Sequence, residues 1–134
     1  MNTTIRVLLI WLASFILAAV IIAMGHDVML LFIVRTLGWD RYDTRFFHML
    51  YYVLAGIAWL FFCILIYDFF NRMAKKGRLL YAALRTLGIE LAIIAAMQTI
   101  LTMYAYPPLD WISIGLIVIE GGLGGAMLYR VRRN

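Results

Sequence analysis

Apolar residues in this chain gather into blocks rather than alternating with polar ones. Predominantly apolar stretches cover Val7–Met24, Met49–Tyr67, Leu87–Tyr104 and Trp111–Leu128. A helix rises about 1.5 Å per residue and a bilayer core is roughly 30 Å thick, so each stretch is long enough to cross. The pattern predicts an all-α integral membrane protein with four transmembrane helices in two antiparallel hairpins, forming a single domain over 1–134. With their less apolar flanks, the spans are placed at about 7–24, 49–67, 79–104 and 109–129.

A further apolar run, Val28–Val34, continues to Leu37 and is too short to cross. Asp27 before it suits a helix N-cap, and Gly38 after it suits the left-handed stop that ends many helices. The expectation is a separate short helix over about 28–37, lying at the outer interface between the first and second spans. Trp39, Tyr42, Phe46, Phe47, Tyr51 and Tyr52 follow it and read as an aromatic belt at headgroup depth. Tyr104-Ala105-Tyr106-Pro107-Pro108 is expected to be a tight turn, because proline lacks the amide donor and disfavours helix at the residue before it. So short a turn makes spans three and four antiparallel neighbours. It sets Glu120 level with Ala95 and Ala96, and Glu90 level with Gly124 and Gly125.

Composition supports the membrane reading: 66% of residues are hydrophobic and 14% charged, outside the range of soluble domains. The net charge of +5 does not point to nucleic acid, since the basic residues sit at helix ends rather than on one soluble face. They bear on orientation instead. Nine of the 12 basic residues (Arg6; Arg72, Lys75, Lys76, Arg78 and Arg85; Arg130, Arg132 and Arg133) belong to the termini and the middle loop. Arg35, Arg41 and Arg45 fall in the first loop, and the third loop has none. The positive-inside rule then puts both termini in the cytoplasm of a multi-pass protein, taken to reside in a bacterial cytoplasmic membrane. The first stretch is too long for a signal-peptide core and is read as a retained helix. Cys63, the lone cysteine, is expected to be a small packing residue.

Glu90 and Glu120 stand out, because an ionised carboxylate is expensive at mid-membrane and needs a proton, a hydrogen bond or a cation. Gln98 is within reach of Glu120 across the expected turn, a contact that would tie two helices together. On the third span Gly88, Ala92, Ala95, Ala96 and Thr99 share a small-residue face, and Glu90 points about 160° away from it on a 3.6-residue helix. Both sides of that helix look unsuited to lipid, so Glu90 is expected either to face a second neighbour inside a distorted bundle or, the favoured reading, to contact a group outside this chain. Gly121, Gly122, Gly124 and Gly125 make the fourth span a close-packing helix, with Gly121 and Gly125 in GxxxG spacing. Ser14, Ala18 and Gly25 form a weaker small stripe on the first.

His26 and His48 fall at similar outer depth and could serve as axial haem ligands, although histidine is also ordinary at an interface. The chain contains no HExxH, no CxxC, no glycine-rich phosphate loop and no nucleophile placed beside a base. The small multidrug-resistance exporters share its length and span count, but their essential acid lies in the first span, where this chain has none, so no family resemblance follows. The reading is a non-catalytic accessory subunit of a larger membrane complex, conceivably an electron-transfer assembly. Its partners would be other integral membrane subunits and lipids, with no nucleic acid. It would bind no metal and no cofactor by its own residues, while quinone, haem or pigment could touch its surface. The alternative is a small oligomeric proton-coupled transporter or channel using Glu90 and Glu120.

Overall fold

A computed structural model describes residues 2–38, 45–104 and 111–133. They form four helices: α1 (Thr3–Leu37), α2 (Arg45–Lys75), α3 (Leu79–Tyr104) and α4 (Trp111–Arg133). All four are long and apolar enough to cross a membrane. Most of their large apolar side chains, such as Phe61, Ile64 and Val118, are exposed on the outside, as a lipid solvent requires and water would penalise. Trp39, Tyr42 and the Ala105–Pro108 turn lie outside the described residues.

The separate short helix expected over 28–37 is not observed. α1 runs unbroken through Gly25, His26 and Asp27 to Leu37, a rod of 35 residues, so Asp27 is not an N-cap. Gly25-His26-Asp27 lowers hydropathy but contains no proline, and nothing in it removes a helical hydrogen bond. Gly25 has a packing reason. A Cβ there would lie 2.6 Å from the Tyr51 hydroxyl, which donates to the Ile22 carbonyl at 2.7 Å. Gly38 does end the helix, in the left-handed region at φ 62°. At its other end Asn2 caps α1, its side chain accepting from the Thr4 amide.

α1 and α2 pack with rising numbers on one against falling numbers on the other. Trp11 Nε1 donates to the Cys63 carbonyl at 2.9 Å, and Tyr51 and His48 of α2 meet Ile22 and His26 of α1. α2 stops at Lys75 in a glycine turn: Gly77 sits at φ 69°, its amide donates to Ala74 O, and Arg78 N donates to Met73 O. This short connection delivers α3 close beside the end of α2. Phe70, Ala82 and Val7, from three helices, are nearly solvent-free and form the core there, with Ile10, Trp11 and Ile66 around them.

α3 is the central helix. It packs most extensively on α4, next on α1, and only slightly on α2, whereas among the described residues α4 packs on α3 alone. The α3–α4 contact is set by glycine. A Cβ on Gly124 would lie 3.0 Å from Gly88 O and 3.1 Å from Ala92 N, so the two backbones touch. Gly121 faces Ala95, one turn along. The small faces expected on the two helices therefore meet each other, and Gly124, in contact with Gly88, Leu91 and Ala92, stands level with Glu90 as expected.

Candidate functional site

Helical phase carries Glu90 away from the α4 contact, as its position relative to Gly88 and Ala95 requires. The structure does not send it out of the molecule. Glu90 is 4% exposed, and Ser14 Oγ of α1 donates to its Oε1 at 2.5 Å. On this side α3 has a neighbour within the chain, α1, which meets one of the two carboxyl oxygens. Ser14, itself fully buried, is the residue that the sequence placed in a small stripe without giving it a polar role.

The bond uses half of the carboxyl group. Glu90 Oε2 is buried and has no hydrogen-bond partner. Glu90 is among the residues that line a cleft of about 710 Å³ between α1, α2 and α3. The cleft exists because α2 and α3 are held together at the Phe70–Ala82 core and separate beyond it. Its α1 wall includes Ala18 and Ile22, and its α2 wall runs from Ala55 past Trp59 and Phe62 to Phe69. Arg85 and Glu90 belong to the α3 wall. Trp59 Nε1 is also buried without a partner. Phe15 packs against Trp59 with the rings tilted by 44° and their centroids 4.4 Å apart, and helps fix the indole. Besides Arg85 and Thr86, this largely apolar lining thus includes two residues with a buried, unsatisfied polar atom, each of which costs about 1–3 kcal/mol if left so.

Glu120 is separate from this site. It is half-buried on α4, beyond α3 from Glu90, since α4 touches neither α1 nor α2 among the described residues. Its Oε2 and the Oε1 of Gln98 are both buried without a partner, and no hydrogen bond joins the two side chains among the described residues. Of the four clustered glycines, Gly121 and Gly124 meet α3, while Gly122 and Gly125 have nothing within 4 Å. The contact pair is therefore three residues apart rather than the GxxxG pair.

His26 and His48 do come together. His26 Nε2 and His48 Nδ1 lie 2.5 Å apart, within hydrogen-bond distance, and Asp27 Oδ1 is 3.3 Å from His26 Nδ1. Tyr52, itself exposed, stacks on the His26 ring at 4.8 Å. Each facing nitrogen is thus engaged by the other, and no group of three or more metal-ligating side chains occurs among the described residues.

The sequence missed Trp59 and Ser14 as site residues. One was a single aromatic among many, the other a small residue in an apolar span. No family model, curated protein or solved structure matches the chain.

Proposed function

We propose that this chain is a non-catalytic component of a membrane that takes an elongated, lipid-soluble molecule into the cleft between α1, α2 and α3. The observation that carries this reading is Glu90, 4% exposed, with Oε2 unpartnered at the wall of an apolar slot. A protein does not hold a carboxyl oxygen there at no cost, and a ligand group reaching it would recover the lost hydrogen bond. Volume and lining suit a small molecule with few polar groups. In this reading the helices cross the bilayer as two hairpins with both termini cytoplasmic.

Membership of a larger assembly, as an accessory subunit beside other integral membrane proteins, is favoured by α4. Among the described residues that helix leans on α3 alone, and Gly122 and Gly125 leave its backbone open on another side. A proton-coupled carrier using both acids is less favoured, because α3 separates Glu90 from Glu120.

The test is native mass spectrometry of the protein extracted with its surrounding lipid. The expected result is the chain with one retained molecule of a few hundred daltons, released by organic solvent, and a stoichiometric larger partner. A chain that carries no retained molecule beyond bulk lipid would overturn the cleft reading. A chain found only alone or with its own copies would overturn the assembly reading.

A further inference from the structure

One end of the bundle is almost purely cationic. Val7 of α1 packs with Phe70 and Ala82, and Leu128 of α4 reaches Gly88 of α3. The start of α1, the corner between α2 and α3 and the end of α4 therefore lie together. They carry Arg6, Lys75, Lys76, Arg78, Arg130 and Arg132, all exposed. Asp68 is the only acid within 1–24, 68–89 or 121–134, and Arg72 already holds it. The described chain leaves this end without counter-charge, which a leaflet containing anionic lipid supplies.

That field is diffuse, and the cleft gives it one defined place. Arg85 and Thr86 are the first two residues of α3 in the cleft lining, the ones nearest the cationic end. Arg85 is exposed, and among the described residues it makes no ion pair or hydrogen bond. Thr86 is half-buried. The other threonines of α3, Thr99 and Thr102, return their hydroxyls to the carbonyls of Ala95 and Gln98. Thr86 makes no such bond, and its oxygen is not one of the buried, unpartnered atoms. Two neighbouring donors, one of them charged, are thus free at the cleft. An unpaired guanidinium is costly beside hydrocarbon, and the acceptors that match its fork are carboxylate and phosphate.

The rest of the cleft selects what carries that acceptor. From Phe69 back to Ala55 the α2 wall extends roughly 21 Å at the rise of a helix, and its side chains are almost all apolar. The hydrocarbon of one leaflet is only about 15 Å deep, so this wall is long enough for an acyl chain. A free phosphate would use Arg85 and leave the wall bare. A neutral lipid would use the wall and leave Arg85 unpaired. A zwitterionic headgroup brings its phosphate with an ammonium, which the surrounding arginines and lysines oppose.

We infer that the cleft holds one acyl chain of an anionic phospholipid, whose phosphate pairs with the Arg85 guanidinium and accepts from the Thr86 hydroxyl. This rests on the reading that the cleft takes a lipid-soluble molecule, and it names the class from Arg85 and Thr86 rather than from Glu90. The headgroup stays at the cationic end, and only hydrocarbon runs along the apolar wall toward Ala55.

The experiment uses the full chain in neutral detergent micelles, titrated with phosphatidylglycerol or phosphatidylcholine of identical acyl chains and read by native mass spectrometry. One phosphatidylglycerol per chain is expected to bind first, about tenfold more tightly than phosphatidylcholine, the worth of one charge-assisted hydrogen bond. Arg85→Gln should remove that preference and Arg85→Lys should keep part of it. Arg132→Gln, at the same end but outside the cleft, should leave it unchanged. Glycerol phosphate, a headgroup without chains, should not compete. Ala58→Trp, which fills the cleft from α2, should weaken both lipids. Equal binding of the two lipids, binding of neither, or displacement by glycerol phosphate at equal concentration would overturn the anionic phospholipid. So would a preference that Arg132→Gln lowers as much as Arg85→Gln does. None of these touches the cleft reading, provided Ala58→Trp still expels the molecule retained from the native membrane. Indifference of that molecule and of both lipids to Ala58→Trp would overturn both.

Discussion

Ser14 and Glu90, 76 positions apart in sequence, are joined by a 2.5 Å hydrogen bond that ties the middle of α1 to the middle of α3. The bond lies on the side of α3 opposite the glycine contact with α4. One helix is thus gripped from two directions by unlike means, a polar bond on one face and touching backbones on the other.

The first prediction concerns that bond. Removing the hydroxyl in Ser14→Ala leaves both carboxyl oxygens without a partner in a dry site. Hydrogen bonds between membrane helices average about 0.6 kcal/mol and reach about 1.7, and the burial of this pair places it at the upper end. A double-mutant cycle of Ser14→Ala with Glu90→Leu, read from unfolding in mixed micelles, should give a coupling of about 1–2 kcal/mol. Additive single effects would mean that the two side chains do not meet.

The glycines of α4 should divide sharply. Gly124→Ala places a methyl 3.0 Å from Gly88 O, against backbone that cannot rotate aside. It should force α3 and α4 apart and cost about 1–3 kcal/mol, the usual range for overpacking. Gly125→Ala enters open space and should be neutral or slightly stabilising within the isolated chain, since alanine is the better helix former by about 1 kcal/mol in soluble helices. Thermal unfolding of the two variants in the same detergent checks the contrast. If Gly125→Ala is silent in the isolated chain yet weakens co-purification of a partner, the open side of α4 is an interface.

These two contacts mark what could be read in advance and what could not. Gly88, Ala92 and Ala95 recur at helical spacing, and so do Gly121 and Gly124, so their faces were visible in one dimension. The stop at Gly38 was visible for a similar reason, a local one: glycine takes the left-handed conformation without strain. Glu90 was correctly phased away from the small face, but phase says only which way a side chain points. What stands there is decided by how α1 packs on α3, a pairing across 76 residues that leaves no periodic trace. The cleft is further out of reach. It depends on α2 leaving α3 beyond Phe70 and Ala82, and on Trp59 having no acceptor, neither of which is a property of any segment alone.

The separation of the two acids makes a third prediction. A proton path through Glu90 and Glu120 would have to pass around α3, and Gln98, the nearest candidate link on that helix, bonds neither of them. Reconstituted wild-type protein should therefore show no proton flux above that of protein-free liposomes under an imposed pH gradient, read with an entrapped dye. Flux that disappears in both Glu90→Gln and Glu120→Gln would restore the carrier reading and remove the present one.

The continuity of α1 can be checked by distance alone. In the structure Leu12 and Phe32 belong to one helix, both exposed, and 20 residues of unbroken helix separate them by roughly 30 Å. A break at Gly25-His26-Asp27, with 28–37 turned along the membrane plane, would shorten that distance by several ångströms and broaden it. Spin labels at Leu12→Cys and Phe32→Cys, with the buried native thiol replaced as Cys63→Ala, report the separation by pulsed dipolar spectroscopy. One narrow distribution near the straight-helix distance is expected. His48→Ala tests why the helix stays straight. It removes the partner of His26 Nε2 while leaving the Tyr51 bond to Ile22 in place. Since backbone hydrogen bonds run through this stretch of α1 without interruption, the variant should widen the distribution only modestly. A second, shorter population in the wild-type chain would mean that the rod bends at Gly25, and that the histidine pair forms in only part of the molecules.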